Sequence, residues 1–240
     1  MGRTILHVDL NNFYASVECL YRSEIRDKPV IVGGDVEARH GIVLAKNNIA
    51  KAAGIKTGDA IWQAKQKIKG LVIVPPDFRK YLRFSRMART IYADYTDQIE
   101  PFGIDECWMC VTGSLNLFGF GQEIADTIRQ RIKNEMGITA SVGVSFNKIF
   151  AKLGSDMKKP DATTIISEEN FRQVVWPLPV GELLYVGRST QQKLRNRAIF
   201  TIGDLANANP HSLKLLLVFG AKPYGTLLMG LIRHLYDVLV

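Results

Sequence analysis

The run PFGIDECWMC, Pro101 to Cys110, sets two adjacent carboxylates, Asp105 and Glu106, inside an otherwise apolar stretch. A carboxylate taken out of water without a partner picks up a proton or finds a cation. Any fold of this chain must therefore offer these two acids a positive charge or leave them in solvent. For an isolated Asp-Glu pair, a solvent-facing hairpin turn is the plain solution. A third acid, Asp9, ends the first apolar run, TILHVD, and opens a second solution in which several acids close around metal.

The element pattern decides whether that meeting is feasible. TILHVD reads as a short buried strand, and Asn11 or Asn12 can cap a helix carrying Phe13, Val17 and Leu20 at helical spacing. KPVIVGG and GIVLAK read as strands. Two short helices broken between Gly54 and Gly58 follow, and LVIVPP closes the unit as another strand. A long amphipathic helix is expected from Tyr81 to about Gln98, with Leu82, Met87, Ile91 and Tyr95 facing inward. IEPFGI and CWMCVT are strand-like, with the Asp-Glu pair between them. A helix around 122–136, the strand TASVGV, a helix opened by Ser145 and a last strand, TTIIS, complete the series.

With Asn11–Asp77 removed, the remaining order approximates a split βαβ sheet with helices on one face. The fold class is thus α/β (α+β): a ferredoxin-like sheet with a small α/β unit inserted after its first strand. Beyond Ser167 the texture changes to short helices punctuated by Gly and Pro, which places a domain boundary there. In such a sheet Asp9, Asp105 and Glu106 can converge at one end. Three carboxylates at that distance repel one another unless a multivalent cation neutralises them, and hard oxygen ligands select Mg²⁺ or Mn²⁺.

Composition limits the partners. The chain has 240 residues, 47% apolar, enough for two or three small cores, and no long apolar segment for a membrane span. MGRTILHVDLNN lacks a small-residue cleavage site and reads as a strand rather than a signal peptide, and Gly2 is discounted as a lipidation site. Three cysteines make no disulfide framework, which points to the cytosol. Cys107 and Cys110 would face opposite sides of a strand and read as packed thiols. The net charge of +8 is concentrated in two places. Lys148, Lys152, Lys158 and Lys159 cluster against Asp156, and Arg188, Lys193, Arg195 and Arg197 form a second group. Such clusters suit phosphates, or are simply solvated helix faces.

HVDLNNFYASVE, FGIDECWMCVTGS and SVGVSFNKIFAKLGSDMKKPDATTII resemble the signature segments of the Y-family translesion DNA polymerases, of the DNA polymerase IV type. The likeness runs in order from Thr4 to about Ala206. It implies a palm at 1–10 and 78–166, fingers at 11–77 and a helical thumb at 167–240. It also implies a two-metal site of Asp9, Asp105 and Glu106, with the backbone carbonyl of Leu10 as a further ligand and two Mg²⁺ (or Mn²⁺) as cofactors. The metals would orient a primer 3′-hydroxyl and the α-phosphate of a deoxynucleoside triphosphate on primer-template DNA.

The resemblance further implies that Tyr14 is a steric gate against a 2′-hydroxyl, with Phe13 as pocket wall. Lys159 would reach the triphosphate. Asn48 and Lys51 stand where many members have a Tyr and an Arg, so the bidentate fork is lost. Cys110 replaces a common carboxylate. VGRSTQQKL resembles a helix-hairpin-helix, in which Gly187, Arg188, Ser189, Thr190 and Lys193 would contact DNA phosphates; Tyr185 takes the place of the earlier glycine. FGAKPYGTLLMGL is a candidate second turn of this kind. A further DNA-gripping domain and a tail that binds the sliding clamp are expected beyond Val240, so this piece is expected to be a weak, distributive polymerase. A metal-dependent phosphohydrolase or nucleotide cyclase would use the same acids, and a non-catalytic relative would keep only DNA binding.

Overall fold

The computed structural model describes residues 2–34 and 41–218. Strand β1 (Ile5–Leu10) is buried along its whole length. After α1 (Phe13–Tyr21) come β2 (Val30–Gly33), β3 (Val43–Lys46), α2 (Asn48–Ala52), α3 (Ile61–Lys67) and β4 (Val72–Val74). Their three strands make a separate sheet ordered β3-β2-β4, closed over Ile31, Val43, Ala50, Ile55 and Ile61. Gly54 and Gly58, at φ +80 and +88, turn the chain between α2 and α3 through a region that side-chain-bearing residues avoid.

The chain then forms α4 (Phe78–Ala93), β5 (Ile99–Phe102), β6 (Glu106–Cys110), the short α5 (Leu115–Phe118), α6 (Gly121–Met136), β7 (Ala140–Ser145), α7 (Lys148–Met157) and β8 (Thr163–Ile166). The main sheet is ordered β5-β6-β1-β7-β8, with β1 antiparallel to both neighbours and β8 parallel to β7. Apart from β8 at the edge, this is the expected split βαβ order.

The helices do not share one face, contrary to the expectation from the sequence pattern. Successive strand residues point to opposite sides. Leu6, Val8 and Leu10 enter a core with Ile91 and Tyr92 of α4 and Ile124, Ile128 and Ile132 of α6. Each such side chain contributes about 1.5–3 kcal/mol of apolar burial. Ile5, His7 and Asp9 face the other way, toward α7: Ile5 packs with Trp108 and Ala151, and His7 Nδ1 lies 2.8 Å from Ser155 Oγ. Gly143 permits this approach, because a Cβ there would fall 1.9 Å from the Ala151 carbonyl oxygen and 2.6 Å from Ser155 N.

Several boundaries also differ, each for a local reason. Helix α4 begins three residues before Tyr81, where the Asp77 carboxylate accepts from Arg79 N (3.1 Å) and Lys80 N (3.4 Å), and it ends at Ala93. Leu82, expected inward, is exposed. Helix α7 is opened by Asn147, whose side chain accepts from Phe150 N at 2.8 Å, while Ser145 Oγ donates to the Ile166 carbonyl. Asn12 precedes α1 in a left-handed conformation without a side-chain cap, and Asn11 is buried against Ser141 and Thr139.

Beyond Ser167 lie α8 (Phe171–Val175), α9 (Arg188–Arg195), α10 (Ile202–Asn207) and α11 (Pro210–Val218). Phe171, Val175 and Leu194 pack with Phe150, Leu153 and Ile166, so the hydrophobic core continues across position 167. The candidate turn FGAKPYGTLLMGL lies outside the described residues. Among the described residues, no helix is long and apolar enough to cross a membrane.

Candidate active site

Strand register, not sequence proximity, brings the acids together. Asp9 on β1 is the pairing partner of Glu106 on β6, and Leu10 N donates to the Asp105 carbonyl at 3.1 Å. Asp9, Leu10, Phe13, Tyr14, Asp105, Glu106 and Lys159 all line one cavity of about 340 Å³. A larger cavity, about 480 Å³, lies between the end of α9 and α10–α11 and has no such convergence of acids.

Two lysines stand among these carboxylates. Lys159 Nζ is 2.6 Å from Asp9 Oδ2 and 2.7 Å from Asp156 Oδ1. Lys152, on α7 and mostly buried, is 2.8 Å from Glu106 Oε2, 3.5 Å from Asp9 Oδ2 and 3.0 Å from Asp156 Oδ2. Behind them His7 Nε2 is 3.2 Å from Glu106 Oε2. The positive charge that the structure sets opposite Glu106 is Lys152, and His7 faces the same carboxylate from behind. Among the described residues, no group of three or more His, Cys, Asp or Glu side chains is disposed to close on an ion.

The electrostatics separate the acids. Burial would raise Glu106, but the bonds from His7 and Lys152 outweigh it and hold its carboxyl well below the usual range. Burial raises Asp9, against the pull of Lys159. Asp105 is pushed up to about 6, first by burial and then by the negative charges of Asp9 and Glu106. Burial lowers His7, which leaves its ring neutral at pH 7. Asp9, Glu106 and Asp156 share the two ammonium groups, and Asp105 stands beside them with no ion pair among the described residues; with all four ionised, the shortfall equals the charge of one divalent cation. An all-oxygen donor set with that shortfall fits a hard ion such as Mg²⁺ or Mn²⁺.

The aromatic residues form one wall. Tyr14 is half-buried and stacks on Tyr81, with centroids 4.2 Å apart and planes 13° off parallel. Tyr81 Oη donates to the buried Glu18 Oε1 at 3.0 Å, which fixes the ring behind Tyr14. Phe13 is buried in the main core and also lines the cavity.

Asn48 and Lys51 do not line the cavity; Asn48 is exposed and accepts from Asn12 Nδ2 at 2.9 Å. Lys46 and Thr57 line it instead, joined by a 3.0 Å hydrogen bond. Sequence reasoning missed these two and His7, and it placed Lys152 only in the basic cluster against Asp156. Two signals were available. His7 is two residues from Asp9, hence on the same strand face, and Lys152 is one helical turn before Asp156, which also meets Lys159.

In the helical part, Gly187 is the extended N-cap of α9. Arg188 and Ser189 are exposed, and Thr190 and Lys193 are half-buried. Tyr185 takes φ 69, the left-handed conformation suited to the glycine whose place it fills.

Residues 8–156 match the family model described as the impB/mucB/samB family. The DNA polymerase IV of Acetivibrio thermocellus is 62% identical over 209 residues, covering 87% of this chain and 52% of that protein. DNA polymerase IV 1 of Bacillus subtilis is 44% identical over 216 residues, covering 90% and 52%. The chain spans about half the length of these relatives. Among solved structures, the insertion ternary complex of Dbh DNA polymerase superposes with a TM-score of 0.87 at 26% identity, covering 99% of this chain and 68% of that one. DinB from Sulfolobus solfataricus gives a TM-score of 0.84 at 27% identity, covering 98% and 67%.

Proposed function

The chain belongs to the impB/mucB/samB family, and with it to the Y-family DNA polymerases its motifs resemble; on that premise we propose that it is the catalytic part of a template-directed translesion DNA polymerase. It would transfer a nucleotidyl group from a deoxynucleoside triphosphate to a primer 3′-hydroxyl. The observation that carries this reading is the pairing of Asp9 with Glu106, which sets three acids and Lys159 around one cavity.

The division of labour follows from the geometry. Asp9, Asp105, Glu106 and the Leu10 carbonyl would hold Mg²⁺, with Mn²⁺ as a substitute. When bound, the ions would activate the attacking hydroxyl and stabilise the departing pyrophosphate. Glu106, kept ionised by its contacts with His7 and Lys152, would offer the ion an anionic oxygen throughout. Lys159, now on Asp9, would turn to the triphosphate as the nucleotide enters. Tyr14, braced by Tyr81, would close the space beneath the sugar C2′. Lys46 and Thr57 would supply the finger-side contacts to the triphosphate in place of Asn48 and Lys51.

In this reading 1–10 and 78–166 are the palm, 11–77 the fingers and 167–240 the thumb. Gly187, Arg188, Ser189, Thr190 and Lys193 would meet the phosphates of primer-template DNA in a helix-hairpin-helix manner. In the longer protein a little-finger domain would complete the grip on the duplex and a tail would bind the sliding clamp. Free thiols, buried at Cys19 and Cys107 and half-buried at Cys110, suit the bacterial cytosol.

Primer extension with four deoxynucleotides and Mg²⁺, with Asp105→Ala as control, tests the proposal. Template-directed extension by the native chain, lost in the variant, is expected. Nucleotide hydrolysis without extension, or undiminished extension by the variant, would overturn it.

A further inference from the structure

Helix α4 carries five basic residues and no acid between its Asp77 cap and Asp94. Two are engaged: Lys80 pairs with Glu18 and Asp77, and Arg89 donates to the Gly103 carbonyl. Arg79, Arg83 and Arg86 are exposed and have no ion-pair partner among the described residues. Their spacing of four and three residues puts them on one face, spread over about 10 Å of helix. Phe78 and Leu82, 48% and 43% exposed, lie on the same face. The inward residues Tyr81, Phe84, Ala88 and Ile91 fill the core, so burial does not explain this outer face.

The stripe begins at the candidate active site. The Phe78 ring is 5.8 Å from that of Tyr14 and 5.7 Å from that of Tyr81, so the first turn of α4 backs the cavity wall. A row of guanidinium groups running on from an exposed aromatic ring is a pattern that can track a single strand, with charge following phosphates and the ring accepting a base. An exposed row of arginines meeting only water would need neither the ring nor the position beside the pocket.

We propose that the outer face of α4, through Arg79, Arg83, Arg86 and Phe78, binds a stretch of single-stranded DNA next to the active site. The inference rests on the polymerase reading for its choice of DNA over other polyanions. It concerns a surface distinct from the helix-hairpin-helix region at Gly187.

Binding of a fluorescent oligo-dT by the 240-residue chain, measured across a salt series, tests it. In the Arg79→Ala/Arg83→Ala/Arg86→Ala variant the slope of log affinity against log salt should fall by about 2, since each single-strand phosphate contact contributes roughly 0.7. The matching triple-lysine variant should keep the slope, because the charge is retained. Alanine is a strong helix former, so α4 should persist, which circular dichroism checks. Oligo-dT binding by the alanine variant with unaltered affinity and slope overturns the proposal, whatever happens in primer extension. Loss of binding to polyglutamate without loss of oligo-dT binding also overturns it, in favour of an acidic protein partner. Should the native chain bind oligo-dT through this face yet extend no primer, the polymerase reading fails and the surface stands.

Discussion

Lys159 Nζ stands 2.6 Å from Asp9 Oδ2, so a lysine covers the carboxylate on which cation binding would depend. Asp9 is almost fully buried and Lys159 only partly, so removing the lysine leaves a desolvated charge with Lys152 as its nearest cation. Lys159→Met should lower the stability of the cation-free protein by about 1–3 kcal/mol, less than for a fully buried pair because solvent screens the ammonium. KM for deoxynucleotides should rise tenfold or more while affinity for primer-template DNA holds. Chemical denaturation in chelator and steady-state extension check the two halves; an unchanged KM would remove Lys159 from the nucleotide site.

Asp105 makes stability depend on pH. Its folded carboxyl is held at about 6 against an ordinary 3.8, so between those values the folded state binds the proton that the unfolded state has lost. Stability therefore falls as pH rises from about 4 to about 6 and stays lower above, by at most about 2–3 kcal/mol. Asp105→Asn should remove this contribution, making the cation-free protein more stable than native at pH 7.5 and abolishing extension. The difference should vanish near pH 4, and added Mg²⁺ should stabilise the native chain more than the variant above pH 6. Parallel denaturation series from pH 4 to 7.5 measure this.

Tyr14 owes its placement to the ring of Tyr81, 4.2 Å away. Tyr14→Ala should increase ribonucleotide incorporation by an order of magnitude or more, while Tyr14→Phe, which keeps the ring, should retain selectivity. Competition between ribo- and deoxynucleotides in single-nucleotide insertion provides the measurement. Equal selectivity in all three proteins would make Tyr14 a packing residue only.

Gly143 sets the distance between β7 and α7. A methyl group there meets the backbone of Ala151 and Ser155, which cannot rotate aside as a flexible side chain would. Gly143→Ala should cost about 3 kcal/mol and, by pushing α7 outward, take Lys152 from Glu106. Denaturation midpoints test the cost. A variant as stable as the native chain would contradict this packing.

Ala198 follows α9 at φ 59, and Ile199 N donates to the Leu194 carbonyl at 3.1 Å, the geometry of a helix end that favours glycine. Ala198→Gly should stabilise by about 0.5–1 kcal/mol. A drop in thermal midpoint would contradict it.

Much of the sheet could be read directly. The eight strands of the described residues fall where alternation and short apolar runs put them, and the three acids share a cavity as their places at strand ends implied. Helix ends were less legible because caps compete locally: Asn147 rather than Ser145 opens α7, and Asp77 starts α4 early. The inward role given to Leu82 failed because α4 turns that side away from α1 and α6, a matter of helix rotation that a loose apolar pattern leaves open.

Sequence by itself determined the inventory: which segments alternate with period two or 3.6, where glycine relieves the backbone, and that Asp9, Asp105 and Glu106 are acids among apolar neighbours. Those properties are local, set by each residue and its few neighbours along the chain. Only the tertiary structure decided that α7 covers the face of β1 bearing Asp9, that Lys152 reaches across 143 positions to the same carboxylate, and that Lys46 rather than Lys51 looks into the cavity. Pairing register and the crossover from β7 to β8 fix these meetings, and both arise from contacts between distant segments that no short stretch of sequence encodes.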